Sequence, residues 1–177
     1  MTIHRRAKPT VMLLWFCAAA LLMSAAPPVA AQIAGWQPGP GAVGDNTYVG
    51  VIESPTSGAP LSASSPVLIA GWFVDTTAQG YAGADAAQVW LGTMEAQGRA
   101  LANATVALNR PDVATALGNP DWAASGFQTT IPGSAIPSGA QTLLVYVHTP
   151  SKGWWYKPVN VIGGAPNNGS GSRGGDN

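Results

Sequence analysis

Tyr146, His148, Trp154, Trp155 and Tyr156 form the densest group of chemistry-bearing side chains in this 177-residue chain. Flat aromatic rings bind sugars by stacking, or bury rigid area against a protein partner. Other chemistries find less support. His148 is the only histidine beyond the N-terminal leader, so a Ser/His/Asp arrangement could be built only around it, and no Gly-x-Ser-x-Gly occurs. A paired-carboxylate glycosidase needs two acids in one cleft, and nothing in the spacing pairs Glu53 or Glu95 with an aspartate. Calcium would draw on Asp75, Asp85, Asp112 and Asp121, which fall at strand ends or in loops, but no Asp-x-Asp-x-Asp spacing occurs. The one cysteine, Cys17, lies in the leader, which removes disulfides and thiolate metal sites. No motif calls for a cofactor.

The aromatic group is positioned by residues 142–162, TLLVYVHTPSKGWWYKPVNVI, which read as two strands around a tight turn. Alternation sets the faces. With Leu143, Val145 and Val147 directed to a core, Tyr146 and His148 face the other way. On the return strand Trp155, Val159 and Val161 share one parity, and Trp154 and Tyr156 the other. The candidate ligand-binding residues are therefore Tyr146, His148, Trp154 and Tyr156. Rings used only for packing on the outer face are the competing reading.

The first 31 residues carry Arg5, Arg6 and Lys8 ahead of an uncharged apolar run, then Pro27, Pro28 and small residues up to Ala31. This is the pattern of a signal peptide, with cleavage near Ala31. An uncleaved anchor is the alternative, although the run is shorter than the roughly 20 residues that span a bilayer. The chain is thus expected to be secreted or on the cell surface, without membrane contact after cleavage. Beyond Ala31, five basic residues (Arg99, Arg110, Lys152, Lys157, Arg173) against eight acidic ones leave a net charge of −3. The five are scattered, which excludes a phosphate-binding face and nucleic acid as partner.

Residues 32–46, rich in Gly and Pro, read as a linker, with Trp36 docking on its own domain. Residues 163–177 read as a disordered tail of Gly, Ser and Asn. The domain between, 47–162, shows strand signals at 48–53, 67–75, 88–91, 100–108 and 126–131 before the hairpin, and a helical turn at 111–118 bounded by Pro111 and Gly118. About seven short strands with one helical insertion predict an all-β fold, a Greek-key β-sandwich. Trp72, Trp90 and Phe127 are expected in its core, with Val67, Ile69, Val89 and Leu143 around them.

Glu53-Ser54-Pro55, Gly71-Trp72 with Asp75, Arg110-Pro111-Asp112-Val113 and Ser138-Gly139 before an alternating strand carry a resemblance spanning 50–161. In their order and spacing the sequence resembles bacterial immunoglobulin-like domains of exported and cell-surface proteins. The resemblance implies an immunoglobulin-like sandwich without catalysis. The family shares no catalytic or ligand residue set, so it assigns no site. The expected function is adhesion or ligand binding, with a glycan or a protein as partner of the aromatic face. The alternative is a structural subunit of an envelope or extracellular assembly, joined through its strand edges.

Overall fold

The computed structural model describes residues 35–164. The leader expected over 1–31 and the tail beyond Gly164 lie outside the described residues. Nine strands are present there: β1 (Gln37–Pro38), β2 (Tyr48–Ser54), β3 (Ala59–Leu61), β4 (Pro66–Asp75), β5 (Ala86–Leu91), β6 (Arg99–Leu108), β7 (Gly126–Pro132), β8 (Gly139–Thr149) and β9 (Gly153–Gly163). One α-helix, α1 (Pro111–Leu117), has Pro111 in its first turn and ends at Gly118, as the sequence predicts. A 3₁₀ turn over Pro120–Ala124 follows α1. The two strands beyond the expected seven are the shortest, β1 and β3. Among the described residues no helix is long and apolar enough to cross a membrane.

The strands are mainly antiparallel and form one curled sheet in the order β1-β9-β8-β5-β6-β7-β4-β2, with β3 parallel to β9. The all-β class holds, and the shape is that of a half-barrel. β6 makes the curl. Its first part pairs with β5 up to Ala104, and its last part pairs with β7 at Thr105 and Leu108. The pairing with β7 is irregular there, and Ala107 takes a φ of 59°. Such a bulge bends a strand and sharpens its twist, which lets one strand serve both halves.

The core fills the concave side. Val89, Leu143, Val145, Val147, Trp155, Val159 and Val161 come from the β5-β8-β9 half, and Tyr48, Val67, Ile69, Phe73, Phe127 and Ile131 from the other. The parity expected for the hairpin is the observed one. Two expected core residues are not here. Trp90 alternates with inward Val89 and stands on the convex side of β5, half-buried. Trp72 stands on the convex side of β4, against a smaller cluster of Val74, Ala82, Val113 and Trp122 under α1. The reason is that β4 is covered on both faces, so its apolar parities belong to different cores.

The segment expected as a linker is integrated from Gly35 onward. Trp36 is 3% exposed and meets Phe73 edge-on with ring centroids 4.9 Å apart. Gln37 and Pro38 pair with Tyr156 and Trp155 as β1.

A buried ion pair ties the hairpin turn to the end of β4. The Asp75 carboxylate is almost fully buried and accepts from Thr47 Oγ1 at 2.6 Å, Thr77 Oγ1 at 2.7 Å and Thr77 N–H at 2.9 Å. Lys152 Nζ lies 3.1 Å from Asp75 Oδ2 and 5.2 Å from the centre of the Tyr48 ring. Burial alone would push this carboxyl up, but the donors of Thr47, Thr77 and Lys152 outweigh it and hold Asp75 below its ordinary value.

The free edge of β2 is guarded. Phe73 N–H donates to Ser125, away from β2. Its antiparallel partner Gly50 therefore turns its own peptide groups outward. Lys157, on the inward parity of β9, reaches across to donate to the Gly50 carbonyl at 3.0 Å.

Trp36→Ala is expected to lower unfolding free energy by about 3–5 kcal/mol, read by denaturant titration. A variant as stable as the parent would return residues 35–46 to the role of linker. Asp75→Asn leaves Lys152 buried without its counter-ion and is expected to lose about 3–5 kcal/mol at neutral pH. Because the folded-state pKa of Asp75 is depressed, its contribution is present above the unfolded-state value and fades as pH falls toward the folded one. The parent should lose stability through that acid window more steeply than Asp75→Asn, and parallel pH profiles would contradict this.

Candidate functional site

The hairpin register builds the site. Tyr146 pairs with Tyr156 and His148 with Trp154, so all four residues share the convex face. The register is set at the turn, where Thr149 pairs with Gly153 and Lys152 N–H closes back on the Thr149 carbonyl. Gly153 has a φ of 72°, and a Cβ there would stand 2.2 Å from the carbonyl oxygen of Gly41. No other residue fits that turn without moving the 39–43 segment.

β5 and β1 extend the face on either side. Gln88 pairs with Tyr146, and Gln37 with Tyr156, so Gln88, Tyr146, Tyr156 and Gln37 form one row across four strands. Trp90 opposite Leu144 begins the next row on one side, and Trp154 opposite His148 the row on the other.

Tyr146 is the hub. Its ring lies 5.0 Å from Tyr156, 6.3 Å from Trp90 and 6.5 Å from Trp154 between centroids, the two indoles meeting it edge-on. Its hydroxyl accepts from Met94 N–H at 3.2 Å, which anchors the loop between β5 and β6. On the other side Gly39 packs so closely that a Cβ would come within 2.9 Å of the ring. Tyr146 is fully buried, so of the four expected contact residues it can only support the others. Burial, with lesser help from the charge of Glu95, pushes its phenol up and keeps it a neutral hydroxyl.

His148, Trp154 and Tyr156 remain half-buried, each with one accessible side. The imidazole of His148 lies 4.9 Å from Trp154, and its Nδ1–H donates to Asp85 Oδ1 at 2.6 Å. That bond fixes the ring and leaves Nε2 of the neutral form as an acceptor. Tyr156 Oη donates to Gln37 Oε1 at 2.7 Å, and Trp90 Nε1–H donates to Gln88 Oε1 at 2.9 Å. Each carboxamide keeps its nitrogen as a donor at the face. The arrangement is a set of ring surfaces bordered by hydrogen-bonding groups.

Sequence reasoning missed Trp90, Gln88, Gln37 and Asp85. The signal for Trp90 and Gln88 was present: once Val89 points inward, alternation sends its neighbours outward. Gln37 and Asp85 join through pairing and loop geometry that no local pattern encodes.

The other chemistries can be placed too. No hydroxyl is bonded to the His148 ring among the described residues. Glu53 and Asp112 are both held by Arg110, with four nitrogen–oxygen distances of 2.7–2.9 Å. Arg110 thereby keeps Asp112 below its ordinary value. Asp75, Asp85 and Asp112 thus have separate partners. No group of three or more acidic, histidine or cysteine side chains able to hold a metal ion occurs among the described residues. No protein-family model matches this chain, and a search of curated proteins found no match.

Tyr146→Ala removes the hub and is expected to destabilise by about 3–5 kcal/mol. Trp154→Ala, at a half-buried position, should cost about 1 kcal/mol and leave the fold intact. Equal losses in thermal or denaturant unfolding would contradict the division into support and contact.

Proposed function

We propose that this chain is an exported, non-catalytic module of immunoglobulin-like type that binds a glycan through the convex face of β9, β8 and β5. The observation that carries the reading is Trp154, half-exposed beside the Asp85–His148 pair and backed by buried Tyr146. A pyranose offers an apolar C–H face and a rim of hydroxyls, and an indole bordered by fixed acceptors and donors complements both. Rigid support matters because a ring already held in place loses little entropy on binding. The leader pattern supports export, and the resemblance over 50–161 supports the immunoglobulin-like class.

A structural subunit assembling through strand edges is the second reading, and the exposed Val49 and Val51 on edge strand β2 favour it. Lys157 opposes it, since a cation seated on the Gly50 carbonyl blocks addition of a strand there.

The test is a glycan array probed with the labelled protein and with Trp154→Ala. Binding to neutral glycans that disappears in the variant, with its melting curve kept, is the expected result. No glycan signal together with concentration-dependent self-association in light scattering would replace this reading with the second.

A further inference from the structure

We infer that the ligand is a neutral, flat-faced polysaccharide gripped along its interior at two aromatic subsites, one at Trp154 and one at Trp90. The inference rests on the glycan reading above and specifies its substrate class.

The two indoles belong to different ends of the face. Trp154 stands opposite His148 and Trp90 opposite Leu144, with β8 running between β9 and β5. Four residues along β8 and two strand spacings across place their backbones roughly 14 Å apart in one direction and about 10 Å in the other. Both rings lean toward Tyr146 without touching each other's half of the face, at 6.5 and 6.3 Å from its centre. Gly39 and the Met94 peptide close over Tyr146 between them. A single sugar therefore covers one indole and cannot reach the other, whereas a chain can rest on both.

The two ends also differ in polarity. At Trp154 the His148 Nε2 and the exposed Asp85 carboxylate offer acceptors to hydroxyl groups, while at Trp90 the Gln88 amide nitrogen offers a donor. Charge narrows the class further. Asp85 and Glu95 lie at the face, and the four cations among the described residues are engaged elsewhere: Arg99 with Ala135, Arg110 with Glu53, Lys152 with Asp75 and Lys157 with Gly50. Polyanionic glycans would be repelled. Chains joined by equatorial β-1,4 linkages are extended ribbons that present ring faces at intervals, and these suit two separated indoles on one face of the sheet.

The experiment is calorimetric titration of the full chain with β-1,4-linked gluco-oligosaccharides from disaccharide to hexasaccharide. The hexasaccharide is expected to bind at least roughly tenfold more tightly than the disaccharide, the scale of one additional stacking contact. Trp90→Ala should reduce hexasaccharide affinity to near the disaccharide level without changing disaccharide binding, Trp90→Phe should retain part of it, and Trp154→Ala should weaken both. Equal affinity at every length, or an unaffected Trp90→Ala with Trp154→Ala still defective, overturns the second subsite and leaves the glycan reading standing. Absence of binding at every length overturns both.

Discussion

The register of the β8–β9 hairpin is the constraint on which the rest of this protein depends. With β8 held in place by β5, slipping β9 by one residue would send Trp154 and Tyr156 into the core and turn Trp155, Val159 and Val161 out to solvent. Two features pin it at the turn. Gly153 fits against the Gly41 carbonyl where no side chain can, and Lys152 is drawn into the buried carboxylate of Asp75 at the end of β4. The turn is thus fixed from both halves of the curled sheet. The net gain from such a buried pair is small because desolvation offsets its Coulombic attraction, whereas losing one partner leaves the other charge buried and unpaired.

From that register follow two cores on opposite sides of one pair of strands. The concave core is large and aliphatic with Phe73, Trp155, Tyr48 and Trp36 at one end. The convex cluster is small and built on Tyr146, with backbone from 39 and 94 as its cover. A sheet with a solvated outer face ordinarily exposes polar side chains there. Burying a tyrosine at its centre holds the flanking rings at fixed angles, and fixed rings are what a stacking site requires. Packing and proposed recognition therefore use the same residues, divided by exposure.

Much of this was legible in the sequence. The hairpin, its parity and the helical turn from Pro111 to Gly118 follow from alternation and from Pro and Gly at positions where only they are favoured. Four of the face's aromatic residues were legible for the same reason. What local pattern could not decide was which cover each face receives. Trp72 lies in a strand that is apolar on both parities, and whether its ring meets the main core or a lesser one depends on α1, which arrives from elsewhere in the chain. The composition of 32–46 marks a linker whose Trp36 docks on the domain, as it does beside Phe73, but composition does not show that Gln37 and Pro38 pair with β9 as a strand. The buried state of Tyr146 was hidden because it depends on Gly39, over a hundred residues earlier.

The indole N–H resonances in a proton–nitrogen NMR spectrum test directly whether the convex face is the binding surface. On titration with a β-1,4-linked gluco-hexasaccharide, the resonance of Trp154 should shift while those of Trp36 and Trp155, sealed in the concave core, stay in place. Shifts confined to Trp72 and Trp122 under α1, or an unchanged Trp154, would contradict it.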